Sequence, residues 1–183
     1  MASWMCKATL PFLSVFLILW SQMPEVQGQE FRFGPCRVQE AEVRELRKAF
    51  WTLKDTVQAQ DHNTNVRLLR KEILQNVSDA ESCYFIHSLL KFYLKTVLKN
   101  FYSKAAELRI LPSFSALTNN IMILAMKLQR SEGGEKFSNT ENAQSQFLQF
   151  RKAFKQMDRE AALIKAVGEF DILLTWMEKF YQH

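Results

Sequence analysis

The chain has 183 residues, 48% of them hydrophobic and 13% aromatic, which suits one globular domain with a sizeable core and excludes a disordered or collagen-like chain. Five glycines and four prolines leave too little turn chemistry for a multi-stranded β domain, so an all-α fold is expected. The formal net charge of +5 permits attraction to acidic glycans, nucleic acid or membrane surfaces, but acids accompany the bases over several helix faces, so solvated surface is the simpler reading.

The first residues read as a targeting segment. Lys7 supplies a positive start, Leu10 to Trp20 is an almost unbroken apolar run, and Val26-Gln27-Gly28 offers small residues for cleavage. The run is about 11 residues long, short of the roughly 18 that a membrane-spanning helix needs. Residues 1–27 are therefore expected to be a signal peptide cut between 26 and 28, leaving 28–183 as a single secreted helical domain. Cys6 leaves with it, and in an oxidising route the remaining pair, Cys36 and Cys83, is most simply one disulfide; two buried free thiols are the alternative.

Phe31 to Pro35 reads as a short extended entry. Val43, Leu46, Phe50, Leu53 and Val57 repeat at intervals of 3, 4, 3 and 4, which predicts one amphipathic helix of about five turns. Gln60 to Asn65 is polar and should be a loop. A shorter helix carrying Val66, Leu69 and Ile73 follows, ending near Asn76-Val77-Ser78, an N-glycosylation sequon at Asn76.

Ser78-Asp79-Ala80-Glu81 has the pattern of a capping box and opens the most apolar helix of the chain, expected over Asp79 to Tyr102. Its polar strip is only Ser88, Lys91, Lys95 and Lys99, so this helix should sit at the centre of a bundle. Beyond a connector from Ser103 to Leu111, Pro112 suits the first turn of a helix carrying Phe114, Leu117, Ile121, Leu124 and Leu128. Gly133-Gly134 lies in a loop-like stretch, and Ser138-Asn139-Thr140-Glu141 offers a second capping box. Phe147, Phe150, Phe154 and Met157 continue toward Leu163, Val167, Phe170, Leu174, Met177 and Tyr181, with a break expected at Asp158-Arg159-Glu160 because one helix of about forty residues is too long for such a domain. Gly168 falls inside the last helix, where either close approach of a neighbouring helix offsets its cost or the glycine is a tolerated imperfection.

Catalytic chemistry finds no foothold in this pattern. His62, His87 and His183 have no metal-ligand spacing, and bonded cysteines leave no thiolate for metal or attack. His87 reads as a residue at the boundary between core and solvent. Gly133-Gly134 lacks the strand-to-helix context and Lys-Ser/Thr ending of a phosphate loop. Neither enzyme activity, a metal nor a cofactor is expected; nor is nucleic-acid binding, since the aromatics face inward, or insertion into a membrane. A domain that works by binding remains, with a carrier of an apolar ligand in its Phe-rich interior as the alternative and extracellular glycan binding as a third possibility.

Ser78, Cys83-Tyr84, Leu89-Leu90, Phe92-Tyr93-Leu94 and Thr96-Val97-Leu98 together resemble the signature of the interleukin-10 family, and Lys165 to Leu174 resembles its last helix. Gln29 to Cys36 and Asn76 to Tyr84 point, within that family, to the interleukin-20 subfamily. The resemblance covers essentially all of the chain after the targeting segment. It implies a secreted six-helix cytokine bundle that brings together two class II receptor chains and activates Janus kinases and STAT factors. The implied receptors are the interleukin-20 receptor β chain with either the interleukin-20 receptor α chain or the interleukin-22 receptor α chain; a monomer is expected, with a dimer that exchanges helices between subunits as the alternative. Lys54, Asp55, Gln58, Arg67, Arg70, Lys165 and Glu169 are candidate receptor contacts, on the expectation that these polar side chains are spare from the core.

Overall fold

A computed structural model describes residues 29–131 and 141–182. The expected targeting segment, Gly133-Gly134, His183 and the first three residues of the second expected capping box lie outside the described residues.

The entry is a β-hairpin rather than a single extended stretch. β1 (Glu30–Phe33) pairs antiparallel with β2 (Cys36–Gln39), with Phe31 opposite Val38 and Phe33 opposite Cys36. Phe31, Phe33, Cys36 and Val38 are buried while Arg32 and Arg37 are exposed, the period of two that a strand with one covered face imposes. Gly34 turns the corner at φ 53°, and a Cβ there would lie 2.7 Å from the Ala80 carbonyl oxygen, so the hairpin can sit against the chain at Ala80 only with glycine. The other edge of β1 pairs with β3 (Tyr181–Gln182), Phe31 lying opposite Tyr181, which brings the two ends of the domain together.

The first helix is broken. α1 (Glu40–Trp51) stops at Thr52-Leu53 and a short α2 (Lys54–Gln58) resumes, although Val43, Leu46, Phe50, Leu53 and Val57 are all buried as their spacing predicts. Residues 59–70 then run without helix, and only α3 (Lys71–Gln75) forms of the helix expected there. Leu68 and Leu69 are buried ahead of it, whereas Val66, expected on its apolar side, is exposed.

The capping box is present. Both the Ser78 backbone N–H (3.4 Å) and its hydroxyl (2.7 Å) donate to Glu81 Oε2 across a 3₁₀ turn at Asp79–Glu81. The central helix then runs as α4 (Ser82–Phe92), a π-helical turn (Tyr93–Leu98) and α5 (Lys99–Glu107), five residues beyond the expected end at Tyr102. Ala105 is fully buried in this extension. The helix closes in a Schellman motif, with the Ile110 N–H donating to the Ala105 carbonyl and the Arg109 N–H to that of Ala106, both at 3.0 Å. Phe85, Ile86, Leu89, Leu90, Tyr93, Val97, Leu98 and Phe101 are buried, and Lys91, Lys95 and Lys99 are exposed, so the helix is central with one narrow polar strip.

α6 (Leu111–Ser131) packs on α1 and α4, burying Phe114, Leu117, Ile121, Leu124 and Leu128. α7 (Glu141–Gln156) covers another side of α4. The expected break follows it: Asp158 caps α8 (Arg159–Gly168), its Oδ1 accepting the N–H groups of Glu160 (3.0 Å) and Ala161 (3.1 Å). Glu169 separates α8 from α9 (Phe170–Met177), and a 3₁₀ turn (Glu178–Phe180) leads into β3, so the last helix is interrupted and ends before Tyr181.

Ring contacts fill the interior: Tyr93 meets Phe170 at 5.1 Å between centroids, Phe50 meets Phe170 at 5.7 Å and Phe85 meets Trp176 at 5.7 Å. Each such ring contributes about 1.5–3 kcal/mol by leaving water. The Tyr93 hydroxyl donates to the Ala166 carbonyl (2.7 Å), satisfying a polar atom inside the core. A disulfide between Cys36 and Cys83, Cα atoms 5.9 Å apart, ties the hairpin to the start of α4.

Candidate functional site

The seven positions singled out in the sequence lie on α2, the segment from 59 to 70, α8 and the Glu169 junction, and the fold brings these elements together. α2 and α8 meet at Gly168. A Cβ there would stand 3.4 Å from Gln58 Cγ, and the Gly168 carbonyl accepts a hydrogen bond from Gln58 Nε2 at 2.7 Å. At that distance a Cβ would make only an ordinary contact with a flexible side chain, so close approach does not by itself require glycine at the end of α8.

Four of the seven are not spare from the fold. Glu169 is buried, and its Oε2 accepts the backbone N–H groups of Leu68 (2.9 Å) and Leu69 (3.0 Å). Lys165 is only 3% exposed, its Nζ donating to the Asn63 carbonyl and to Asp61 Oδ2, both at 2.5 Å. Gln58 and Lys54 both reach Asp171 Oδ2, at 3.3 and 3.1 Å. The reason is backbone accounting: residues 59–70 lack a helical ladder, and buried N–H and C=O groups must find partners elsewhere. Lys165 and Glu169 supply them, and so fix the shape of that segment.

Asp55, Arg67 and Arg70 are exposed, as expected for contacts with a partner. Burial raises the Glu169 carboxyl above its ordinary range, against the lowering effect of its two backbone donors and of Lys165 and Arg67.

Trp51, which the sequence reading passed over, stands beside them at the break between α1 and α2 and is 49% exposed. Lys54 Nζ sits 4.7 Å from its ring centroid and Arg47 Cζ 6.0 Å, on a ring steadied by Phe50 at 5.6 Å. Arg47 is held by Glu178 at 2.6 Å and Lys54 by Asp171, so charges on α9 and the turn after it set the cations that flank the indole. A large exposed aromatic held by its neighbours is the kind of residue that anchors protein interfaces. In the sequence its signal was present but masked: Trp51 lies off the 3, 4, 3, 4 core repeat and next to a core Phe.

Elsewhere, His62 is exposed and His87 is buried rather than at a boundary. Among the described residues no cluster of His, Cys, Asp and Glu is arranged to hold a metal ion, and no helix is long and apolar enough to cross a membrane. Asn76 is exposed at the end of α3, and its carbonyl accepts from the Asn142 side chain.

A helical bundle whose polar face is assembled from its first and last helices and the segment that follows the first is the architecture that the resemblance to helical cytokines implies. Comparison with known proteins agrees. The family model described as Interleukin 10 matches residues 21–182. The chain is 56% identical to human interleukin-24 over 181 residues, covering 99% of this chain and 88% of that protein. It is 55% identical to mouse interleukin-24, covering 94% and 95%, and 30% identical to mouse interleukin-20, covering 92% and 93%. A solved structure of an edited human interleukin 24 superposes with a TM-score of 0.70 at 53% identity, covering 84% of this chain and 99% of that one. Human interleukin-19 shares the fold, with a TM-score of 0.65. The chain belongs to the interleukin-10 family of cytokines, and it is not an enzyme.

Proposed function

We propose that the protein is a secreted cytokine that joins the interleukin-20 receptor β chain to either the interleukin-20 receptor α chain or the interleukin-22 receptor α chain, activating Janus kinases and STAT factors. The observation that carries this reading is the similarity to interleukin-24 along nearly the whole chain. The mechanism is proximity: a rigid bundle with two occupied surfaces raises the effective concentration of one receptor chain for the other.

One surface is the face around Trp51. Asp55, Arg67 and Arg70 touch the receptor directly, Trp51 is its anchor, and Lys54 and Gln58 border it. Lys165 and Glu169 act at one remove, by holding residues 61–69 in the shape the receptor reads. Residues 1–27 are removed on secretion, Asn76 carries glycan, and the cytokine acts as a monomer.

Reconstitution with soluble receptor chains tests this reading. Mixing the cytokine with the β chain and either α chain should give a ternary complex of one copy each by size-exclusion chromatography with light scattering. Failure to bring two receptor chains into one complex contradicts it. The carrier reading would instead require an apolar ligand in native mass spectra, in an interior that ring contacts already fill.

A further inference from the structure

We propose that the groove between α4 and α7 is a binding site for a sulfated glycosaminoglycan chain, separate from the face around Trp51. The charge of this molecule is less evenly spread than its composition suggests. From Ser82 to Ala106 the central helix contains no acid, and from Asn142 to Met157 neither does the stretch of α7, while the two carry Lys91, Lys95, Lys99, Lys104, Arg151, Lys152 and Lys155.

The fold lays these two stretches side by side. Lys91 and Lys95 line one wall of an open groove and Arg151 the other, with Phe92 and Phe147 between them. Lys155 lies four residues beyond Arg151 on α7, on the continuation of the same face. Lys91 to Lys95 spans about 6 Å of helix on one wall and Arg151 to Lys155 about as much on the other, so the cations form two short rows rather than a point. Lys91 and Lys95 are exposed, and among the described residues neither they nor Arg151 has a carboxylate partner. Several bases elsewhere are paired with carboxylates, as with Arg47, Lys54, Lys104 and Lys165. A row of cations without internal anions is complementary to a linear polyanion.

The aromatic residues decide which polyanion. Nucleic acid would need ring faces on which bases can stack. Here Phe147 has the Arg151 guanidinium over its ring at 5.8 Å, and Phe92 is enclosed edge-on by Phe147, Phe150 and Phe154 at 6.2, 5.6 and 5.1 Å. What the groove offers is cationic N–H donors, the chemistry that holds sulfate. The site lies on α4 and α7, so the cytokine could be held on a cell-surface glycan while the α2 and α8 face remains open.

The test is binding of the full cytokine to immobilised heparin oligosaccharide across a salt series. Lys91→Gln/Lys95→Gln/Arg151→Gln should weaken binding at least about tenfold at physiological salt and lower the slope of log K against log salt by about 2–3. Lys48→Gln/Lys71→Gln/Lys179→Gln, an equal charge loss at exposed positions away from the groove, should change binding less than about threefold. Should the half-buried Arg151 prove necessary for folding, Lys91→Gln/Lys95→Gln alone should lower the slope by about 1–2. Equal losses in the two triple variants, equal binding of desulfated heparin, absence of wild-type binding at physiological salt, or tighter groove-dependent binding of a charge-matched single-stranded oligonucleotide would each overturn the proposal.

Discussion

Glu169 Oε2 accepts the backbone N–H of Leu68 at 2.9 Å, so a carboxylate between the last two helices holds a chain segment that precedes it by about a hundred residues. Without that acceptor Leu68 and Leu69 would bury two unsatisfied donors, each costing about 1–3 kcal/mol. Glu169→Ala should therefore destabilise the protein by about 2–4 kcal/mol and raise amide exchange first at Leu68 and Leu69, before the central helix. Uniform loss of protection across the bundle would contradict this local role.

Glu81 and Glu169 should move stability in opposite directions with pH. In Glu81, burial pushes the carboxyl up but hydrogen bonds from Ser78, Ala143 and Asn142 outweigh it, leaving the group below its ordinary value. Its contribution is present above the unfolded-state value and is lost as pH falls through the lower folded-state value. Glu169, raised by burial, binds its proton in the native state first; its charge weighs against the fold near neutral pH, and that burden lifts as pH falls through the raised value toward the unfolded one. Relative to Glu169→Gln, wild type should gain stability between neutral pH and the ordinary carboxylate value, and relative to Glu81→Gln it should lose stability below it. Urea unfolding of the three proteins from pH 7 to pH 3 measures both signs.

The disulfide closes a separation of 47 residues, for which loop-closure entropy gives about 4 kcal/mol. Cys36→Ser/Cys83→Ser should lose stability on that order. Because the bridge ties the hairpin to α4, exchange protection at Phe31 and Phe33 should fall most.

Arg109 adopts φ 59°, a left-handed conformation that costs a side chain about 1–2 kcal/mol and costs glycine almost nothing. Arg109→Gly should stabilise the fold by about 0.5–1 kcal/mol, after the greater freedom of glycine in the unfolded chain is offset. A lower melting temperature would show that the arginine side chain contributes more than its backbone costs.

Core positions were legible in the sequence because burial follows spacing. Leu46, Phe50, Leu53 and Val57 are buried on one face, and the capping box at Ser78 and the break at Asp158 stand where side-chain chemistry placed them. The break at Thr52 was not legible, since the apolar repeat continues across it without Gly or Pro. Nor was the sheet: β1 and β2 have four residues each, and β3 pairs with β1 from the opposite end of the chain. Lys165 and Glu169 looked like surface because charge usually is; their partners are backbone and side-chain groups about a hundred residues away, which no local pattern reveals.

On the face around Trp51, direct contact and indirect support should separate experimentally. Trp51→Ala should weaken receptor binding by about 2 kcal/mol or more, as an anchoring aromatic does. Asp55→Ala, Arg67→Ala and Arg70→Ala should each change stability by less than about 0.5 kcal/mol while reducing affinity. Lys165→Ala should lower both, because it removes the group that holds Asp61 and Asn63. Surface plasmon resonance beside thermal melts of the same variants distinguishes the two classes.

The central claim, that this bundle signals by joining two receptor chains, is tested most directly by STAT phosphorylation in cells expressing defined receptor pairs. The purified cytokine should raise phosphorylation in cells bearing the interleukin-20 receptor β chain with either α chain, and leave cells bearing any one chain alone silent. Phosphorylation in single-chain cells, or silence in both paired lines, would contradict it.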